Sequence, residues 1–208
     1  MKASLPLRVD PAGSPSMPKV AYKYLVFREA SFYRFIDLCT SAVLETDNRR
    51  FVSSLILIRS AFEVSAALFY IDNKIRSAII SESTDGIDET GMRLLLGARW
   101  DDWSHQAINV LSFVDKMELV LPGARSQYDR LSEFAHPNWQ GTAMLFSSFD
   151  KEQRWTDLGH YLRQAESVES ECWSSLAMCL MSMEYIYNNL SDVFPSFIEL
   201  CRKKFERP

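Results

Sequence analysis

The run Phe51-Val52-Ser53-Ser54-Leu55-Ile56-Leu57-Ile58-Arg59-Ser60-Ala61-Phe62-Glu63-Val64-Ser65-Ala66-Ala67-Leu68-Phe69 decides what kind of fold this chain adopts. Apolar residues fall on nearly every side of a helix drawn through it, and the pattern holds from about 49 to 77. A helix with no wet face sits at the centre of a bundle, covered on several sides. Two charges interrupt it, Arg59 and Glu63, one turn apart, with almost no other charge between Arg50 and Asp72. Isolated charges are costly to bury, so these two are expected to pair with each other or to meet polar groups on a neighbouring helix. As an exposed pair, arginine ahead of glutamate contributes at most about 0.5 kcal/mol, so stability alone is a weak reason for them. A buried ion pair that fixes helix register is the plain alternative to a functional role.

Helical patterns flank this run on both sides. From about 20 to 46, Leu25, Phe32, Phe35, Ile36, Cys39 and Val43 recur at three- and four-residue spacings, and Thr46-Asp47-Asn48 offers a break and a new N-cap. Residues 78 to 102 carry Gly86, Gly91 and Gly97 and read as a loop with a short helix around Met92 to Leu96. Trp100 and Trp103 then bracket Asp101 and Asp102 ahead of a helix from about 103 to 121, with His105 as an exposed or locally bonded group in its first turn and Pro122-Gly123 as its stop. Between 141 and 157, Thr142, Met144, Phe146, Phe149 and Trp155 surround the polar turn Asp150-Lys151-Glu152-Gln153, the pattern of a small β-hairpin. The longest helix follows from about 159 to 190 along Leu162, Ala165, Cys172, Leu176, Cys179, Leu180, Met183 and Tyr187, with His160 at its start as a surface group. Pro195 is expected to separate a last short segment that ends in Arg202-Lys203-Lys204.

The expectation is an all-α bundle of about five principal helices with a hairpin appended near 141–157. One domain of 208 residues is large enough to bury its core without metals or disulfides. It would span 19–208, behind a flexible arm over 1–18 that holds four of the eight prolines. A formal charge of −4 argues against a strongly basic surface for long nucleic acid, though not against a local basic site. Cys39, Cys172, Cys179 and Cys201 are too scattered for a disulfide framework or a zinc pattern, and a reducing cytoplasm suits them. No signal-peptide core and no window long enough to cross a membrane stands out, so no membrane association is expected. With no glycine-rich phosphate loop, GxSxG or HExxH, neither cofactor nor metal is expected.

The densest group of reactive side chains is Tyr128-Asp129-Arg130-Leu131-Ser132-Glu133-Phe134-Ala135-His136-Pro137. A residue before proline is pushed out of the α region, so a helix through Leu131 should end at His136. There the negative end of the helix dipole favours the protonated imidazole. Tyr128, Ser132 and His136 fall on one helical stripe, with Arg130 and Glu133 beside it. A placed histidine beside an arginine suits phosphodiester cleavage, which needs a proton carrier and a fixed cation for the charge developing on phosphorus.

Arg130 and His136, five residues apart in the intervening sequence, match the arginine-to-histidine spacing of the HEPN superfamily. Together with Arg59-Ser60-Ala61-Phe62-Glu63, the segment Tyr128 to Pro137 resembles an HEPN-like bacterial group with an R-S-x-F-E helix and a Y-x-x-L-S-x-x-x-H-P helix. The resemblance covers about 50 to 140 and implies a homodimer whose site helices face each other. It further implies a metal-independent endoribonuclease of toxin or phage-defence type acting on RNA, with an antitoxin or another protein as partner. The residue after the motif arginine is Leu131 where that family favours a polar one. On an ideal helix Arg130 also lies about 120° from His136, which leaves Arg59 to supply the cation. Catalytic roles then fall to His136 and to Arg59 or Arg130, with Glu63, Tyr128 and Ser132 positioning them. A non-catalytic binding or scaffold protein, with the same residues as a buried polar network, is the competing expectation. In either case Arg59, Glu63, Tyr128, Ser132 and His136 should meet in one cluster.

Overall fold

The computed structural model describes residues 6, 8–10, 17–100, 102, 104–161 and 164–205. Its axis is the apolar run, helix α2 (Phe51–Ser81), which packs against α1 (Lys19–Asp47), α4 (Val110–Glu118), α5 (Ala124–Ala135) and α7 (Ala165–Phe205). The chain is an all-α bundle, with α3 (Ile87–Leu96) against α1 and a short turn, α6 (Met144–Phe146), leading into a hairpin. One continuous core joins Phe35, Leu55, Phe62, Leu68, Cys179 and Phe197, drawn from α1, α2 and α7. The expected arm lies mostly outside the described residues, as do Asp101, Trp103 and Leu162.

The α1–α2 corner closes differently from the expected N-cap. Thr46 stays within α1, donating to the Ala42 carbonyl at 2.9 Å and bonding Ser54 across the corner at 2.7 Å. The turn is made instead by Arg49 at φ 58°, with the Arg50 amide donating to the Glu45 carbonyl at 2.8 Å. α2 also has a wet stripe, contrary to expectation: Ser53 and Ile56 are exposed, and Ser60 and Glu63 half-buried. Its partners α1, α4, α5 and α7 leave this stripe only partly covered. The helix runs on to Ser81, which makes it long and apolar enough to cross a membrane. That corrects the expectation of no such window, yet 61% of its most apolar window is buried inside the protein.

α4 starts at Val110 rather than near 103, because the chain before it pairs with itself. The Ala98 amide donates to the His105 carbonyl and the Ala107 amide to the Ala98 carbonyl, both at 3.0 Å, while Arg93 Nε holds the Gln106 carbonyl at 2.9 Å. His105 is therefore outside any helix. Asn109 then caps α4, accepting from the Leu111 amide at 2.9 Å. β1 (Ser147–Asp150) and β2 (Trp155–Leu158) form the hairpin, antiparallel with Phe149 opposite Thr156. Asp150 Oδ1 holds its turn by accepting from the Glu152 and Gln153 amides at 2.8 and 2.9 Å.

The last helix begins at Ala165, so exposed His160 precedes it, and it runs unbroken through Pro195. Proline removes one backbone bond. Leu190, Phe194, Phe197 and Cys201 are buried on both sides of it, and their packing carries the helix across.

Candidate functional site

α5 crosses the wet stripe of α2, and the crossing is where the polar side chains meet. Its start is shaped by Gly123 at φ 96°, a left-handed conformation that a side chain would strain. The Glu118 carboxylate, at the end of α4, accepts from the Gly123 and Arg125 amides at 3.1 and 2.8 Å. These amides hold its carboxyl below the ordinary glutamate range. Leu131 and Phe134 bury one face of α5, which turns Tyr128 and Ser132 toward α2.

Arg59 Nε donates to Ser132 Oγ at 3.0 Å, and Arg59 Nη2 donates to the Tyr128 hydroxyl at 2.7 Å. The same Nη2 lies 3.2 Å from Glu63 Oε1, to which the Tyr128 hydroxyl donates at 3.2 Å. Ser132 Oγ passes its own proton to the Tyr128 carbonyl at 2.8 Å. Each hydroxyl has one proton and accepts from the guanidinium, so the donor directions in this network are mutually consistent. The guanidinium carbon also lies 5.1 Å from the Tyr128 ring centroid, a cation–π contact. Arg59 Nη1 has no partner among the described residues. The Arg59 and Glu63 side chains keep 27% and 28% exposure, so this is a half-buried pair rather than the sealed one that an apolar helix implies.

Four of the five expected side chains therefore meet, and His136 is not among them. A spacing of four keeps residues on one stripe only while the backbone stays helical. α5 ends at Ala135, and His136 is extended at φ −95°, ψ 148°. Its side chain is exposed and makes no hydrogen bond, ion pair or ring contact with the described residues. The backbone there is closely fixed. Asn138 donates to Glu133 at 2.6 Å and accepts from the Gly141 amide at 2.8 Å, opening a π-turn over Trp139–Ala143.

Arg130 points the other way. It pairs at 2.5 Å with Glu171 of α7, whose Oε1 accepts from Ser175 Oγ at 3.1 Å. The arginine is thus spent on tying α5 to α7.

A second polar network lies where sequence reasoning placed nothing. Glu29 of α1, 5% exposed, accepts from Arg28 Nε at 2.7 Å and from the Tyr187 hydroxyl at 2.8 Å. Arg28 lies over the Tyr187 and Phe194 rings at 4.6 and 5.1 Å. Burial, and then the bond to Glu29, push the Tyr187 hydroxyl up. The only signal for it was an adjacent Arg-Glu pair on a helix, which reads as ordinary surface charge. Among the described residues no group of three His, Cys, Asp or Glu side chains is placed to hold a metal ion. Comparison with family models, curated proteins and solved structures gives no match.

Proposed function

We propose that this chain is an HEPN-like, metal-independent endoribonuclease of toxin or phage-defence type, in which Arg59 meets the phosphate and His136 carries the proton. The observation that supports it best is the state of Arg59. Tyr128, Ser132 and Glu63 fix the guanidinium, Nη1 is unspent, and the side chain is partly open to water. A cation held in place before the substrate arrives is what stabilises charge developing on phosphorus. The RNA 2′-oxygen forms a bond to phosphorus while the bond to the 5′-oxygen breaks, leaving a cyclic phosphate and a 5′-hydroxyl end. One proton leaves the 2′-hydroxyl and one reaches the departing oxygen. Exposed His136 serves one of these transfers, and a second copy facing it in a homodimer serves the other.

A second reading is favoured by one observation: the Arg59 network is closed on itself and His136 stands apart from it. In that case the chain is a non-catalytic helical binding protein. Incubating the purified chain with total RNA in excess chelator separates the two. The ribonuclease reading expects cyclic-phosphate ends, lost by about a hundredfold or more in His136→Ala with no change in melting temperature. An inert wild-type chain supports the second reading, whereas a His136→Ala variant that still cleaves would take His136 out of the ribonuclease mechanism.

A further inference from the structure

Beside the site, a cleft of about 450 Å³ opens between α1, α2, α3 and α4. Its volume lies in the usual range for small-molecule sites, roughly 300–1,000 Å³. Each long helix gives it one stripe, Phe27, Ser31 and Arg34 from α1 and Ser60, Glu63 and Ala67 from α2. Leu94 and Leu95 of α3 and Val110 and Phe113 of α4 complete apolar walls.

The polar groups in these walls are the unusual part. Ser31 is 7% exposed, lines the cleft, and its hydroxyl has no partner among the described residues. Its oxygen is not sealed in the core, so it opens into the cleft and is free to bond an occupant in place of water. Arg34, exposed at the rim, has no ion pair or hydrogen bond with the described residues. Glu63 uses Oε1 for both of its contacts, which leaves Oε2 to face an occupant, but its charge is already matched by Arg59. The cleft therefore carries the uncompensated positive charge of Arg34, two aromatic rings and hydrogen-bonding groups at the opposite wall.

We propose that this cleft binds a small aromatic anion, its carboxylate or phosphate on Arg34, its ring against Phe27 and Phe113, and a donor of its own on Ser60 or Glu63. The occupant takes Glu63 Oε2 and leaves the Oε1 contacts in place. Arg34 has no part in the proposed RNA chemistry, so the proposal stands apart from that reading.

Titration calorimetry of the full chain with indole acetate, guanosine monophosphate and neutral indole tests it. At least one anion should bind one to one, about tenfold more tightly than indole, since a charge-assisted bond is worth about that factor or more. Arg34→Ala should remove that advantage, and Ala30→Phe, at another residue of the cleft wall, should fill the cleft and abolish binding. Two results overturn the proposal. One is that neither anion binds at millimolar concentration. The other is that binding survives Arg34→Ala and Ala30→Phe, which places it elsewhere, for instance in the larger apolar groove of about 840 Å³ beside Met178 and Met181.

Discussion

Glu63 shows how far a single residue can be read from sequence. A lone carboxylate on an apolar helix has to find a donor, and that reasoning led correctly to Arg59 and Tyr128. The degree of burial could not be read the same way, because it depends on which sides of α2 its neighbours leave open. At 28% exposure the pair is partly screened. Glu63→Ala should therefore cost about 1–3 kcal/mol, the range for a lost bond to a charged group, and not the larger penalty of a sealed ion pair. Urea midpoints would measure this, with Glu63→Gln expected to lose less because it keeps an acceptor for Tyr128. Gly141 makes a sharper test, since no pattern in the sequence pointed to it. A Cβ there would lie 2.2 Å from the His136 carbonyl oxygen and 2.9 Å from that of Phe134. Both are backbone atoms at the end of α5 and cannot step aside alone. Gly141→Ala should destabilise by about 1–3 kcal/mol, the range for an overpacked interior. A variant that melts with the wild type would mean that this exit turn moves freely.

At the scale of elements, long periodic helices were legible and their joints were not. α1, α2 and α7 declare themselves through apolar residues repeated over many turns. The start of α4 is set by tertiary pairing of Ala98 with Gln106, which leaves no local pattern. Pro195 reads as a stop, yet the buried residues around it decide otherwise. The α4–α5 joint carries a prediction about pH. The Arg125, Gly123 and Ala124 amides depress the Glu118 carboxyl, so the folded corner binds its proton less readily than the unfolded chain does. A depressed folded value means that the contribution is complete above the ordinary glutamate value of about 4.3 and is lost as pH falls below it, through the lower folded value. Glu118→Gln retains an acceptor oxygen but has no charge to lose. Its melting temperature should lie below the wild type at neutral pH, and the gap should close as pH drops to about 3. A gap that stays constant with pH would assign the effect to shape and not to charge.

For the whole molecule, the bundle follows from one helix that is too apolar to face water. The sequence called for covering helices around α2, and α1, α4, α5 and α7 supply them. The crossing of α2 and α5 is a property of that assembly: two one-turn pairs, far apart in sequence, meet because the core residues on either side fix their helices. His136 escapes it because it lies past the last helical residue of α5, where the fold no longer dictates direction. The same core makes a reporter of its own integrity. Cys39 of α1 and Cys172, Cys179 and Cys201 of α7 are all buried free thiols. Burial pushes Cys39 and Cys201 up to about 12, Cys172 up to about 11, and Cys179 upward too. Only the thiolate reacts at a useful rate, so in the folded chain near pH 8 these groups are both shielded and protonated. Because they share one packed core, labelling should require the global opening and should proceed for all four with one rate constant. Glu63→Ala should then speed all four equally, by about tenfold for each 1.4 kcal/mol that it removes. Mass spectrometry of a time course would resolve the sites, and early modification of one cysteine alone would mean that the core opens in parts.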